Sequence, residues 1–369
     1  MQEYKNRIKD ICCLIGNTPL LEIEFEYKGN TRRVFAKAEN MNMTGSIKDR
    51  MAIHIITKAY ERGFLKPGSD IIEATSGNTG ISFSAIGRAL GHKVSIFMPD
   101  WMSSERINLI KSFGANIILI SSEEGGFKGS IARSIELAGK TKDAFLPCQF
   151  SNEDNVEAHM LTTGPEIYWQ LKYRSIIPDA FIAGVGTGGT IMGVGKYLKS
   201  KFENIKIHPL EPSNSPTLST GYKVGKHRIQ GISDEFIPSI VKLNELDNVV
   251  GVDDGDSIIM AQKLASELGI GVGISSGANF LGAIKVQNEL GDNSNVVTVF
   301  SDDNKKYLST NLLCEEKKNK DFISANVKLK SFKVIKRVCH ISCNPDDCDE
   351  LRNFISQPEN HLPFCQKRN

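Results

Sequence analysis

Lys48 lies in the run Asn42-Met43-Thr44-Gly45-Ser46-Ile47-Lys48-Asp49-Arg50, just after the strand-like Arg33-Val34-Phe35-Ala36-Lys37-Ala38-Glu39. A lysine in a polar turn is ordinarily a solvated surface charge. Two further segments change that reading. Thr75-Ser76-Gly77-Asn78-Thr79-Gly80 gathers hydroxyl and amide groups, and Gly186-Thr187-Gly188-Gly189-Thr190 is a glycine-rich turn. Each stands where an apolar strand-like run hands over to a helical one. Backbone N–H groups and the positive end of a helix can meet an anion at such a junction. The chemistry on offer is therefore an amine able to attack a carbonyl, a loop of neutral donors and an anion cradle.

The glycine loop alone leaves alternatives open. Gly184-Val185-Gly186-Thr187-Gly188-Gly189 fits G-x-G-x-x-G, and Glu211 stands 22 residues beyond Gly189, where a dinucleotide fingerprint places an acid. A tight strand-to-helix turn without a ligand is a third reading. Thr187 and Thr190 add hydroxyl donors, which suits one compact terminal phosphate. A dinucleotide would also leave Lys48 and the Thr75–Gly80 loop unused. A lysine, a donor-rich loop and a phosphate cradle are the parts a pyridoxal phosphate site needs.

The elements that must position these residues are legible as an alternation. Ile71–Ala74, Val94–Met98, Ala115–Leu119, Ala180–Val185 and Val296–Phe300 read as buried strands. Helical runs Ser103–Phe113, Ser257–Leu268 and Ala278–Leu290 lie between them. Doubly buried strands separated by helices predict parallel sheets in an α/β fold. The alternation exceeds one sheet and predicts two domains: a smaller one at 39–150, and a larger one built from 1–38 plus 151–312. It is expected to end after Tyr307-Leu308-Ser309-Thr310, leaving 313–369 as a Cys-rich C-terminal extension behind a charged linker.

Taken together the motifs resemble the cysteine synthase (O-acetylserine sulfhydrylase) family of pyridoxal phosphate enzymes, which includes cystathionine β-synthase. The resemblance runs from about Ile11 to Leu313. Ile15-Gly16-Asn17-Thr18-Pro19-Leu20 is similar to the family's opening motif, and Gly45–Arg50 to its Schiff-base segment. Gln149-Phe150-Ser151-Asn152, Thr163–Ile167, Gly273–Ala278 and Tyr307–Thr310 are similar as well. The resemblance implies a two-domain fold type II enzyme (tryptophan synthase β-like) with three-layer αβα sheets, the cofactor in the interdomain cleft, and a homodimer. It implies that Lys48 carries the cofactor and acts as base, and that Asn78 meets the ring hydroxyl. Gly186, Thr187, Gly188, Gly189 and Thr190 would hold the phosphate, and Ser275 would face the pyridine nitrogen. Thr75, Ser76, Thr79 and Gln149 would hold the substrate carboxylate.

The expected reaction is β-replacement on O-acetylserine or cysteine through an α-aminoacrylate, with sulfide or a thiol as partner. Lys48 must be neutral to react, so some burial is expected. Ser275, a neutral hydroxyl, cannot hold the ring nitrogen protonated as a carboxylate would, which favours prompt β-elimination. Its other reading is a helix N-cap. The chain departs from its family at Ser233-Asp234-Glu235, where small residues are usual. Two acids there disfavour O-phosphoserine. Asp234 is the expected general base that turns the enzyme towards cysteine, with release of sulfide and formation of serine or a thioether amino acid; a solvated acid pair is the other reading. Elimination or deamination of serine or cysteine is the alternative reaction, and a catalytically silent binding protein the alternative class.

No metal site is predicted. Cys339, Cys343, Cys348 and Cys365, near His340 and His361, are residues able to ligate zinc or an iron–sulfur cluster, at a spacing that fits no compact finger. A net charge of +2 with dispersed basic residues predicts no nucleic-acid partner. The absence of a signal segment and of any long apolar run predicts a cytoplasmic protein with no membrane span and reduced cysteines.

Overall fold

The computed structural model describes residues 2–233 and 235–335. The strands are β1 (Leu20–Tyr27), β2 (Asn30–Ala38), β3 (Asp70–Ala74), β4 (Lys93–Pro99), β5 (Asn116–Ile120), β6 (Ala144–Phe145), β7 (Ala180–Gly184), β8 (Lys206–Pro212), β9 (Val250–Val252), β10 (Val296–Phe300) and β11 (Val327–Ile335). They form two sheets. One has the order β5-β4-β3-β6, all parallel; the other is seven-stranded, β11-β1-β2-β10-β7-β8-β9. In the larger sheet the β2–β10–β7–β8–β9 pairings are parallel, and β1 runs antiparallel to both neighbours.

The central strands are apolar on both faces because helices cover both. Val296, Val297, Val299 and Phe300 of β10 are all buried, as are Ala180–Ala183 of β7. Helix Ile274–Leu290 packs on one side with Phe280, Leu281 and Ile284, and helix Gly189–Lys201 on the other with Ile191, Val194 and Leu198. Around the smaller sheet, Ile71, Val94 and Ile96 pack with Met51, Ile55, Phe83 and Ile86. Parallel sheets covered on both faces bring the βα turns to the carboxyl ends of the strands, where α/β folds place ligands.

The strand pattern does not stop at Thr310. Residues 327–335 pair with β1 from Leu20↔Ile335 to Tyr27↔Val327 and extend the large sheet. The segment Val-Lys-Leu-Lys-Ser-Phe-Lys-Val-Ile alternates imperfectly and is mostly exposed, which suits an edge strand and gave a weak signal. Cys339, Cys343, Cys348 and Cys365 lie outside the described residues, as do His340 and His361. Among the described residues no helix is long and apolar enough to cross a membrane.

Candidate active site

Five segments from distant parts of the chain line one cleft between the sheets. Its walls include Lys48, Thr75, Ser76, Asn78, Thr79, Gln149, Gly186, Thr187, Thr190 and Ser275. Lys48 opens the helix Lys48–Glu61, and Asn78 opens the helix Asn78–Ala89 directly after β3. Gly189 begins the helix that follows β7, and Ser275 lies in the first turn of Ile274–Leu290. The N-cap of that last helix is Gly273 rather than Ser275. Asp234 lies outside the described residues. Its neighbour Glu235 pairs with Lys223 at 2.9 Å.

Lys48 is half-buried. Its backbone is held on both sides. Ile47 N donates to Ser301 O at 2.9 Å, tying the segment to the end of β10. Asp49 is buried and accepts from Thr44 N, Thr44 Oγ1 and Ser82 Oγ, each at 2.6 Å. Burial raises its carboxyl above the usual range against these hydrogen bonds. Ser82 belongs to the Asn78–Ala89 helix, so one carboxylate fixes the starts of both helices.

Behind Lys48 stands a buried ionic cluster. The Arg50 guanidinium donates to Glu39 at 2.6 and 2.8 Å and to Glu166 at 2.7 and 2.7 Å. Lys37 reaches Glu166 at 2.7 Å. The neighbouring Arg50 and Lys37 charges outweigh burial and hold the Glu166 carboxyl far below its ordinary range. Burial pulls the Lys37 amine down. Each charge here has an opposite partner, which is what allows the cluster to be dry.

The glycine loop is shaped for close approach. Gly188 has φ +92°, a left-handed conformation, and a Cβ there would overlap Val241. At Gly189 a Cβ would overlap the Asn155 amide. Asn155 Nδ2 donates to Thr187 Oγ1 at 2.9 Å, which leaves the threonine hydroxyl hydrogen free to point at an anion. Behind Thr190 lies His159, whose Nδ1 meets Thr163 Oγ1 at 2.9 Å. Burial, with the nearby Arg50 and Lys48 charges, pulls that imidazole well below its ordinary range. Glu211, the acid a dinucleotide would need, is occupied elsewhere: it accepts from Leu218 N at 2.6 Å and from Ser219 N at 3.3 Å.

In the Thr75–Gly80 loop, Thr79 Oγ1 donates to Gln149 Oε1 at 2.6 Å, and Gln149 Nε2 donates to Ala74 O at 2.9 Å. Beneath it Glu73 is buried, accepting from Ala74 N at 2.9 Å and Gln149 N at 3.4 Å. Asn78 Nδ2 donates to Asp302 Oδ2 at 2.6 Å, while its Oδ1 is buried with no partner among the described residues. Tyr307 Oη donates to the same Asp302 oxygen at 2.6 Å. Sequence reasoning missed Glu73, Asp302 and the role of Tyr307. Asp302 lies two residues past the end of β10, so its place at a strand's carboxyl end was the available signal.

These features fit pyridoxal phosphate. The glycine turn and threonine hydroxyls suit a phosphate dianion. The unmatched Asn78 oxygen and the Ser275 hydroxyl offer partners to polar ring atoms, and Lys48 offers an amine. The comparisons with known proteins agree. Residues 11–302 match the family model described as "Pyridoxal-phosphate dependent enzyme". The chain is 43% identical over 299 residues to a probable cysteine synthase of Bacillus subtilis, covering 81% of this chain and 96% of the relative. It is 60% identical to a hydrogen sulfide-producing enzyme from Fusobacterium nucleatum, with a TM-score of 0.88 and coverage of 90% and 99% of the two chains. An aspartate-to-asparagine mutant of a hydrogen sulfide-producing enzyme, complexed with an α-aminoacrylate intermediate, is 61% identical with a TM-score of 0.86, covering 88% and 97%. With a cleft of this chemistry on this fold, and a family match spanning residues 11–302, the chain belongs to the pyridoxal-phosphate dependent enzymes, in their fold type II branch.

Proposed function

We propose that the protein catalyses β-replacement on a small amino acid such as O-acetylserine or cysteine, exchanging its β-substituent for sulfide, a thiol or water. The observation that carries this reading is the meeting of Lys48, Asn78, Ser275, the Thr75–Gly80 loop and the Gly186–Thr190 loop in one cleft. Pyridoxal phosphate, when bound, supplies the electron sink that acidifies the substrate Cα–H. Lys48 would anchor it and, once displaced by the substrate amine, take the Cα proton. Gly186, Thr187, Gly188, Gly189 and Thr190 would hold the phosphate, Asn78 the ring hydroxyl, and Ser275 the ring nitrogen. Thr75, Ser76, Thr79 and Gln149 would orient the carboxylate.

The direction is argued from the comparisons and from Asp234. At 60% identity the sulfide-producing relative is more similar than the cysteine synthase at 43%. We therefore place cysteine as the substrate, sulfide as the leaving group, and Asp234 as the base that activates the incoming water or thiol. The smaller sheet would mark a domain at 39–150, and the larger sheet a second at 1–38 and 151–312 with β11 added. Free thiols at Cys12, Cys13, Cys148 and Cys314 suit a reducing cytoplasm, and the family resemblance implies a homodimer.

The test is product identification. The holoenzyme is given cysteine with and without a second thiol, and separately O-acetylserine with sulfide, and the amino acids are identified by mass spectrometry. Serine or a thioether with stoichiometric sulfide supports the reading. Pyruvate and ammonia as the main products would replace it with elimination.

A further inference from the structure

Arg106 has no role in the site as described, yet it lines the same cleft. It stands in the helix Ser104–Ser112 and is only 2% exposed. Its guanidinium lies over the Tyr307 ring, 4.5 Å from the centroid. On the other side the side chain fills the space against Gly77, where a Cβ would overlap Arg106 Cδ. Gly77 takes φ +155°, so this residue of the loop turns its bare face to the arginine. Arg106 is thus layered between Tyr307 and the middle of the Thr75–Gly80 loop.

Among the described residues no carboxylate pairs with it. Nε and Nη1 are buried with no hydrogen-bond partner among the described residues. The contrast with other arginines is sharp: Arg50, Arg62 and Arg228 each grip carboxylates at 2.6–2.8 Å. A buried guanidinium without an anion or acceptor is expensive, and folds keep one where a ligand supplies the missing charge. The loop's own donors are partly spent. Thr79 donates to Gln149, Gln149 to Ala74, and Gly77 N to Thr75 Oγ1 at 3.0 Å.

We propose that Arg106 is a substrate-binding residue, the counter-cation for the α-carboxylate of the amino acid held at the Thr75–Gly80 loop. The proposal rests on the reading of this cleft as an amino-acid site. The loop then fixes the carboxylate's orientation through neutral donors, and Arg106 supplies the full positive charge. The phosphate cradle lies on the other sheet, after β7, so the anion that Arg106 serves is the one bound after β3. A planar cation stacked on Tyr307 is held without losing its hydrogen-bonding edge.

The test compares L-alanine with L-alaninamide, which differ in the carboxylate and carry no β leaving group. Binding to the holoenzyme is read from the change in the bound cofactor's visible absorbance. The parent protein prefers alanine. In R106Q the alanine/alaninamide affinity ratio falls about 30-fold or more with cofactor content unchanged. In R106K it falls by about threefold or more, because a compact ammonium does not reproduce the stacked fork. A structural role alone would weaken both ligands together and leave the ratio where it was. An unchanged ratio in R106Q overturns the proposal; if R106Q does not fold, an unchanged ratio in R106K does so. A parent protein that binds cofactor but neither amino compound overturns the amino-acid reading itself, and the proposal with it.

Discussion

Asn78 and Asp302 meet across the cleft: the amide that opens the helix after β3 donates to the carboxylate that follows β10, Nδ2 to Oδ2 at 2.6 Å. The two residues follow strands of different sheets, β3 and β10, and Tyr307 donates to the same oxygen. Asp302 thereby fixes the rotamer of the asparagine proposed to meet the cofactor ring.

Replacing Asp302 by Ala leaves the Asn78 and Tyr307 donors buried without their acceptor. Stability is expected to fall by about 2 kcal/mol or more. Cofactor affinity is expected to fall about tenfold, since an unanchored Asn78 must be ordered on binding. Denaturant melts of the apoprotein and absorbance titration with pyridoxal phosphate read the two effects separately. Unchanged cofactor affinity would remove Asn78 from the ring-binding role.

Arg50 sits between Glu39 and Glu166 with four charge-assisted hydrogen bonds. Arg50→Ala would leave the buried Glu39 without its cation and Glu166 with Lys37 alone, and should cost about 3–5 kcal/mol. The loss is measured by equilibrium denaturation. A cost under about 1 kcal/mol would mean that water reaches the cluster.

Glu73 predicts a pH slope. Burial pushes its carboxyl up to about 8, against backbone N–H donation from Ala74, Gln149 and Cys148. The folded protein therefore keeps this proton up to about pH 8, whereas the unfolded chain releases it near the ordinary value of about 4.3. Between those values the folded state binds more protons, so this group's contribution to stability is full at low pH and declines as pH rises, flattening above about 8. Glu73→Gln removes that decline. Between about pH 5.5 and 7.5 the parent should lose about 2 kcal/mol more than the variant. Parallel stability–pH curves would show that Glu73 is ionised throughout.

Asp234 carries the proposed choice of nucleophile. Asp234→Asn is expected to slow sulfide release from cysteine by about 100-fold, the low end for loss of a general base. Cofactor absorbance and cysteine binding should persist. Unchanged turnover with water or a thiol would leave the residue as a solvated acid.

What the sequence made legible was mostly local. Lys48, Asn78 and Gly186–Thr190 stand at strand-to-helix junctions whose chemistry is written in consecutive residues. Ser275 was placed by its motif, although its cap reading gave way to Gly273. The unread residues owe their roles to neighbours distant in the chain. Asp302 matters because Asn78 lies opposite it, 224 residues away in sequence. Arg106 reads as a polar helix residue until Tyr307 and Gly77 close around it. Glu73 reads as one acid in an apolar run until Gln149 folds onto it. β11 escaped because an edge strand buries too little to leave a pattern.

Lys48 is the proposed anchor of the cofactor. Borohydride reduction of the holoenzyme, followed by protease digestion and peptide mass mapping, reads it directly. A single pyridoxyl-phosphate adduct is expected on the peptide containing Lys48, absent in Lys48→Ala. An adduct on another lysine, or none in a cofactor-saturated protein, would contradict this role.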